Sequence, residues 1–157
     1  MLREQVTDAL KTAMRARDQE TVSALRLILA AMKDKDIAAR PSGNAAGIGD
    51  AEILVLMQGM VKQRRESATL YRQGGREDLA VKEEAEVAVI ERFMPRPLDA
   101  AETEAAIAAA ITEAGAVSIK DMGKVMAILK ARYSGQMDFS AAGPAVKALI
   151  SANAAGG

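Results

Sequence analysis

Apolar side chains recur every three or four positions along most of this chain. Leu2, Val6, Ala9, Leu10, Ala13 and Met14 fall on one face, with Arg3, Lys11, Arg15 and Arg17 off it. That period predicts an amphipathic helix. Asp18 is placed to cap a second helix carrying Val22, Leu25, Ile28, Leu29 and Met32, which is expected to fray at Lys33-Asp34-Lys35-Asp36. Pro41, Gly43, Gly47 and Gly49 make residues 39–49 read as a flexible loop.

Asp50 then reads as the cap of a third helix with Ile53, Leu54, Met57, Met60 and Val61, stopped by Gly74-Gly75. A fourth helix opens near Glu77-Asp78, runs through Leu79, Val89, Ile90 and Phe93, and ends at Pro95-Arg96-Pro97.

That Pro-x-Pro is the candidate domain boundary. Beyond it, Asp99 and Glu102 form a capping box for an Ala-rich fifth helix that stops at Gly115. Ser118 reads as the cap of a sixth helix from about Ile119, with Met122, Val125, Met126, Leu129 and Tyr133 on one face and Gly135 at its end. The last helix is expected to be capped by Ser140, or to place Pro144 in its first turn, with Val146, Leu149 and Ile150 inward. The pattern contains no convincing strand. The fold class is therefore all-α, with four helices in residues 1–95 and three in residues 98–157.

Composition narrows the chemistry. The 157 residues contain no Cys, no His and no Trp, and Lys plus Arg balances Asp plus Glu at 21 each. Disulfides, thiolate or imidazole metal sites, Ser-His-Asp catalysis and Cys-His catalysis are excluded by residue type alone. There are 33 Ala, and aromatics are 3% of the chain, so Val, Ile, Leu and nine Met must fill the core. Zero net charge argues against a general nucleic-acid coat protein. The longest apolar run, Ala105 to Ile111, is far below the ~20 residues of a membrane span. A cytoplasmic protein that spans no membrane is the expectation.

Enzyme machinery is hard to find. No Gly-x-x-x-x-Gly-Lys-Ser/Thr phosphate loop occurs, and Asp50 behind the Gly43–Gly49 segment would repel the anion such a loop binds. Ser118 and Lys120 are near in sequence, but Ser118 is better used as a cap. The expectation is no catalytic residue, no metal and no cofactor.

Charge is strongly patterned in the middle of the chain. Residues 62–76 carry Lys62, Arg64, Arg65, Arg72 and Arg76 against Glu66 alone. Residues 77–91 carry Glu77, Asp78, Glu83, Glu84, Glu86 and Glu91 against Lys82. Folding about Gly74-Gly75 would face Arg72 to Asp78 and Arg65 to Glu84 or Glu86. The same stripe could instead bind a partner, or its acids a magnesium ion. Arg64 or Arg65 must lie near the apolar face, which requires pairing or snorkelling. Farther on, Lys120, Lys124, Lys130, Arg132 and Lys147 either contact RNA phosphates or form a solvated face.

A longer signature lies in the same region. Val61-Lys62-Gln63-Arg64-Arg65-Glu66-Ser67, Tyr71, Gly75-Arg76-Glu77-Asp78-Leu79-Ala80, Lys82-Glu83-Glu84-Ala85-Glu86 and Met94-Pro95 resemble the YqeY family. Leu25 to Lys33 and Met122-Gly123-Lys124-Val125-Met126 are similar to it too. The resemblance implies a four-helix N-terminal bundle, a three-helix C-terminal bundle, and kinship with the helical tail of the B subunit of the glutamine-dependent aspartyl/glutamyl-tRNA amidotransferase. From that kinship comes a label of carbon–nitrogen ligase activity with glutamine as amido-nitrogen donor.

In the amidotransferase the tail engages tRNA, while the catalytic regions lie elsewhere and nothing here resembles them. The resemblance therefore implies an accessory module for tRNA or for a tRNA-modifying complex. The alternatives are a subunit active only when assembled, or a structural interaction protein. At Gln136-Met137-Asp138-Phe139-Ser140 the chain departs from the family, which tends to carry basic residues there.

Overall fold

The structure is a computed structural model, and it describes residues 1–156. Seven α-helices and no strand occur among them. They are α1 (Leu2–Arg15), α2 (Gln19–Ala39), α3 (Asp50–Gln73), α4 (Glu77–Glu91), α5 (Ala100–Ala114), α6 (Met122–Tyr133) and α7 (Phe139–Ala155). Short 3-10 turns stand at Arg40–Ser42 and Ile119–Asp121. The chain divides into two compact units, one from Met1 to Pro95 and one from Arg96 onward, each with its own core.

In the first unit the 3.6-residue stripes of α1 to α4 converge. Val6, Leu25, Ile28, Met32, Met57 and Ile90 are almost completely buried. Met14, expected on the inner face of α1, is exposed: it stands about 100° around the helix from the buried Ala13, at the edge of the apolar stripe. Asp18 caps α2 as the sequence predicts: its carboxylate accepts from the Thr21 N–H at 3.2 Å and from the Thr21 hydroxyl at 2.6 Å.

The second helix does not fray at Lys33–Asp36. It continues to Ala39 because Asp36 is held from outside the helix. Arg3 donates to both Asp36 oxygens at 2.8 and 2.9 Å, and the Ile48 N–H donates at 2.9 Å. Those bonds also tie down the 39–49 loop, whose Ile48 is buried in the core. The cap of α3 is Gly49, whose N–H donates to Glu52 at 3.0 Å. Asp50 is the first helical residue and accepts from the Leu2 N–H at 3.2 Å.

The Gly74-Gly75 stop turns α3 back into α4. Gly75 adopts φ +74°, the left-handed region that favours glycine, and the Arg76 N–H closes the turn onto the Tyr71 carbonyl at 2.7 Å.

In the second unit, α5, α6 and α7 enclose Val125, Leu129, Val146 and Ile150. The Asp99–Glu102 capping box and the Gly115 stop form where the sequence puts them. Ser118 caps the 3-10 turn rather than α6, which starts at Met122. Asp138, not Ser140, caps α7, accepting from the Ser140 N–H at 3.0 Å. Pro144 lies inside α7, beyond the first turn, and withdraws one helix hydrogen bond there.

Candidate functional site

The charged stripe of α3 faces α4, as the antiparallel hairpin requires. Arg64 points toward the core side, and its Nε donates to Glu86 at 2.9 Å while a second nitrogen reaches the Met60 carbonyl at 3.3 Å. Their side chains are only 14% and 19% exposed, so this pair is partly desolvated. The pairing of Arg64 answers the need for a satisfied cation beside the apolar face.

The outer arginines meet other partners than those expected from the charge runs. Arg65 pairs with Glu91, not with Glu84 or Glu86. Arg72 pairs with Glu77, at 3.0 Å, and with Glu84, not with Asp78. Asp78 belongs to Arg76, at 3.1 Å. The Arg65–Glu91 and Arg72–Glu84 pairs run diagonally along α4, whereas Arg72–Glu77 and the inner Arg64–Glu86 pair keep close to the symmetric register about the glycines.

Hydrogen bonding to Glu84, then to Glu77, raises the Arg72 guanidinium above its ordinary value, and the same contact holds the Glu84 carboxyl below its own. Arg76 likewise holds Asp78 down. Lys62 is exposed and Glu83 half-buried, each outside these ion pairs. Most of the acids in α4 are thus engaged by arginine. Among the described residues no group of three or more Asp or Glu side chains is gathered for a metal ion.

The C-terminal cations are placed differently. Lys120, Lys124, Lys130 and Lys147 are exposed, and none lies within ion-pair distance of an acid among the described residues. Lys124 lies near Asp121, whose carboxyl is held low by the Val117 and Ser118 N–H groups first and by that lysine's charge to a lesser degree. Arg132 is paired with Glu113 at 2.6 Å, which separates it from the four lysines. At 100° per residue, Lys124 and Lys130 stand about 120° apart on α6, with the exposed Gly123, Ala127 and Ala131 between them.

Two features were missed by sequence reasoning. One is the Arg3–Asp36–Ile48 tie, whose members are too far apart in the chain for any local pattern to join. The other is an open apolar groove of about 750 Å³ between α5 and α7, floored largely by alanines of α7. Its signal was available in the spacing of Ala141, Ala145, Ala148 and Ala152, which share one side of a helix.

Fold and surfaces together define a class: a small all-helical protein of two cored units, with the arginines of the α3–α4 hairpin paired internally and exposed lysines of the second unit outside any ion pair among the described residues. The family model for Yqey-like protein matches residues 3–150, and the chain belongs to that family. It is similar to altered inheritance of mitochondria protein 41, a mitochondrial protein, of Saccharomyces cerevisiae. The two are 32% identical over 85 residues, which are 54% of this chain and 44% of that one. The protein of the same name from Eremothecium gossypii is 34% identical over 98 residues, 62% of this chain and 51% of that one. The chain spans about half the length of the curated relatives it matches.

The expectation of a cytoplasmic protein fails against these relatives, which are named as mitochondrial. No helix among the described residues is long and apolar enough to cross a membrane. That property concerns a lipid core and carries no information about compartment, so composition gave no ground for the cytoplasmic choice.

Proposed function

We propose that this Yqey-like protein is an accessory binding module that engages tRNA, or a tRNA-modifying complex through its tRNA, by way of the C-terminal unit. Glutamine-dependent amide chemistry, where it occurs, is supplied by other chains. The observation that carries this reading is the contrast between the two sets of cations. The arginines of the α3–α4 hairpin are committed to carboxylates of the same hairpin, whereas Lys120, Lys124, Lys130 and Lys147 hold exposed ammonium groups outside any ion pair among the described residues. An ammonium free of a carboxylate can displace counterions from phosphates without first breaking an ion pair. The residue types supply no imidazole or thiol for transforming a substrate, which supports binding over catalysis.

The test is a titration of the chain with bulk tRNA at about 50 and 200 mM salt, beside a Lys120→Glu/Lys124→Glu variant and an Arg76→Glu control. Affinity is expected to fall steeply with salt, by roughly 0.9 in log K per log salt for each phosphate contact. The double lysine variant is expected to lose affinity and about two units of contact number, while the control loses little. Absence of binding at the lower salt refutes the RNA reading. Glutamine turnover by the isolated chain refutes the assignment as a module without its own active site.

A further inference from the structure

The groove between α5 and α7 is chemically distinct from the lysine surface of the same unit. We infer that it is a docking site for an amphipathic helix of a partner protein, one that carries a lysine or arginine beside its apolar stripe. Three properties of the groove point there. Its floor is shaped by small side chains: Ala141, Ala145 and Ala148 are exposed along α7, with Leu149 and Ile107 of α5 deeper in the wall. Alanines in a floor between two helices let a third helix backbone approach closely, as helix packing requires. From Asp138 to Ala152 the floor extends about 21 Å along α7, the length of roughly four helical turns.

Charge selects among occupants. The ionisable groups lining the groove are Glu104 and Asp138, both acids, and no base lines it. Both lie toward one end, because the Leu98 N–H donates to the Gln136 carbonyl at 3.0 Å and so starts α5 and α7 from the same side. Asp138 spends one oxygen on the Ser140 N–H, while Glu104 has no hydrogen bond or ion pair among the described residues. Two carboxylates at the rim repel RNA phosphates, fatty-acid carboxylates and anionic lipid headgroups, and they attract an ammonium or guanidinium.

Lys147 does not soften this field. It stands at least about 100° around α7 from each α7 residue that lines the groove. The unit therefore presents a cationic surface and an acid-rimmed apolar slot as separate places, so one small unit can hold a nucleic acid and a protein at once. This goes beyond the tRNA reading and does not depend on it.

The probe is a synthetic 16-residue helical peptide with leucines at i, i+3, i+4 and i+7 and lysines flanking them. It is titrated into the full ¹⁵N-labelled chain, with amide shifts followed at Ile107, Ala141 and Ala148. A twin peptide carries glutamates for lysines, and oleate is a third ligand. Binding of the lysine peptide at the groove is expected. It should weaken roughly tenfold or more with Ala145→Trp, which fills the slot from its solvent side, and with Glu104→Lys. Glu104→Lys should in turn improve binding of the glutamate twin. Circular dichroism melts of both variants check that they fold.

No groove shifts with the lysine peptide, or shifts indifferent to both substitutions, overturn the proposal. So does preferential uptake of oleate, or self-association of the chain through the same amides. The tRNA titration of the uncharged Ala145→Trp variant should match that of the parent, which keeps this result separate from the fate of the RNA reading.

Discussion

Asp36 shows how one side chain can decide a local structure that its neighbours do not. In a run of alternating charges it reads as the fraying end of a helix. Its partners Arg3 and Ile48 come from α1 and from the 39–49 loop, so only tertiary contact reveals its role. Hydrogen bonds from Arg3, then from the Ile48 N–H, hold its carboxyl below the ordinary value. A folded value below the unfolded one contributes stability above the ordinary carboxylate range, and that stability is lost as pH falls through the folded value. Glu84, Glu102 and Asp121 share this direction, so the acid limb of stability should be steep below about pH 4. Asp36→Asn should lower stability near pH 7 and flatten part of that limb, as read by urea unfolding from pH 2 to 7. Gly47 is the complementary case. Its φ is +94°, and a Cβ there would stand 2.7 Å from the Asp36 oxygen. Gly47→Ala should cost about 1–3 kcal/mol in the same urea measurement.

The α3–α4 hairpin is the element whose charges were most legible in the sequence. Opposite runs across a glycine stop implied an antiparallel pair, and either Arg64 or Arg65 had to be satisfied near the apolar face. Partner choice was not legible, because an arginine side chain spans more than one helical turn and its direction depends on the surface around it. The partly buried Arg64–Glu86 pair and the exposed Arg65–Glu91 pair should therefore differ in energy. Glu86→Ala leaves a guanidinium with little water and should cost about 1–3 kcal/mol. Arg65→Ala removes an exposed pair and should cost about 0–1 kcal/mol. Denaturant unfolding of both, with a double-mutant cycle for each pair, checks the ranking. Equal costs would mean that the inner pair is as well hydrated as the outer one.

At the scale of the whole molecule, two separate cores imply two separable losses of order. Leu129 is fully buried in the second unit and Leu25 in the first. Truncation to alanine should cost about 2–5 kcal/mol in each case. Leu129→Ala should lower amide-exchange protection after Arg96 and spare residues 1–95, and Leu25→Ala should do the reverse. Uniform loss of protection from either substitution would mean that the cores unfold together.

The helices, most of their stops and the apolar faces were set by local sequence, since periodicity, glycine and capping groups act over a few residues. The family was legible too, in the long middle motif. Which arginine meets which carboxylate, which lysines stay free, how Asp36 holds a loop and where two alanine-bearing helices leave a slot were decided by packing. Each of those depends on atoms brought together from distant parts of the chain, where no short-range pattern can carry the information.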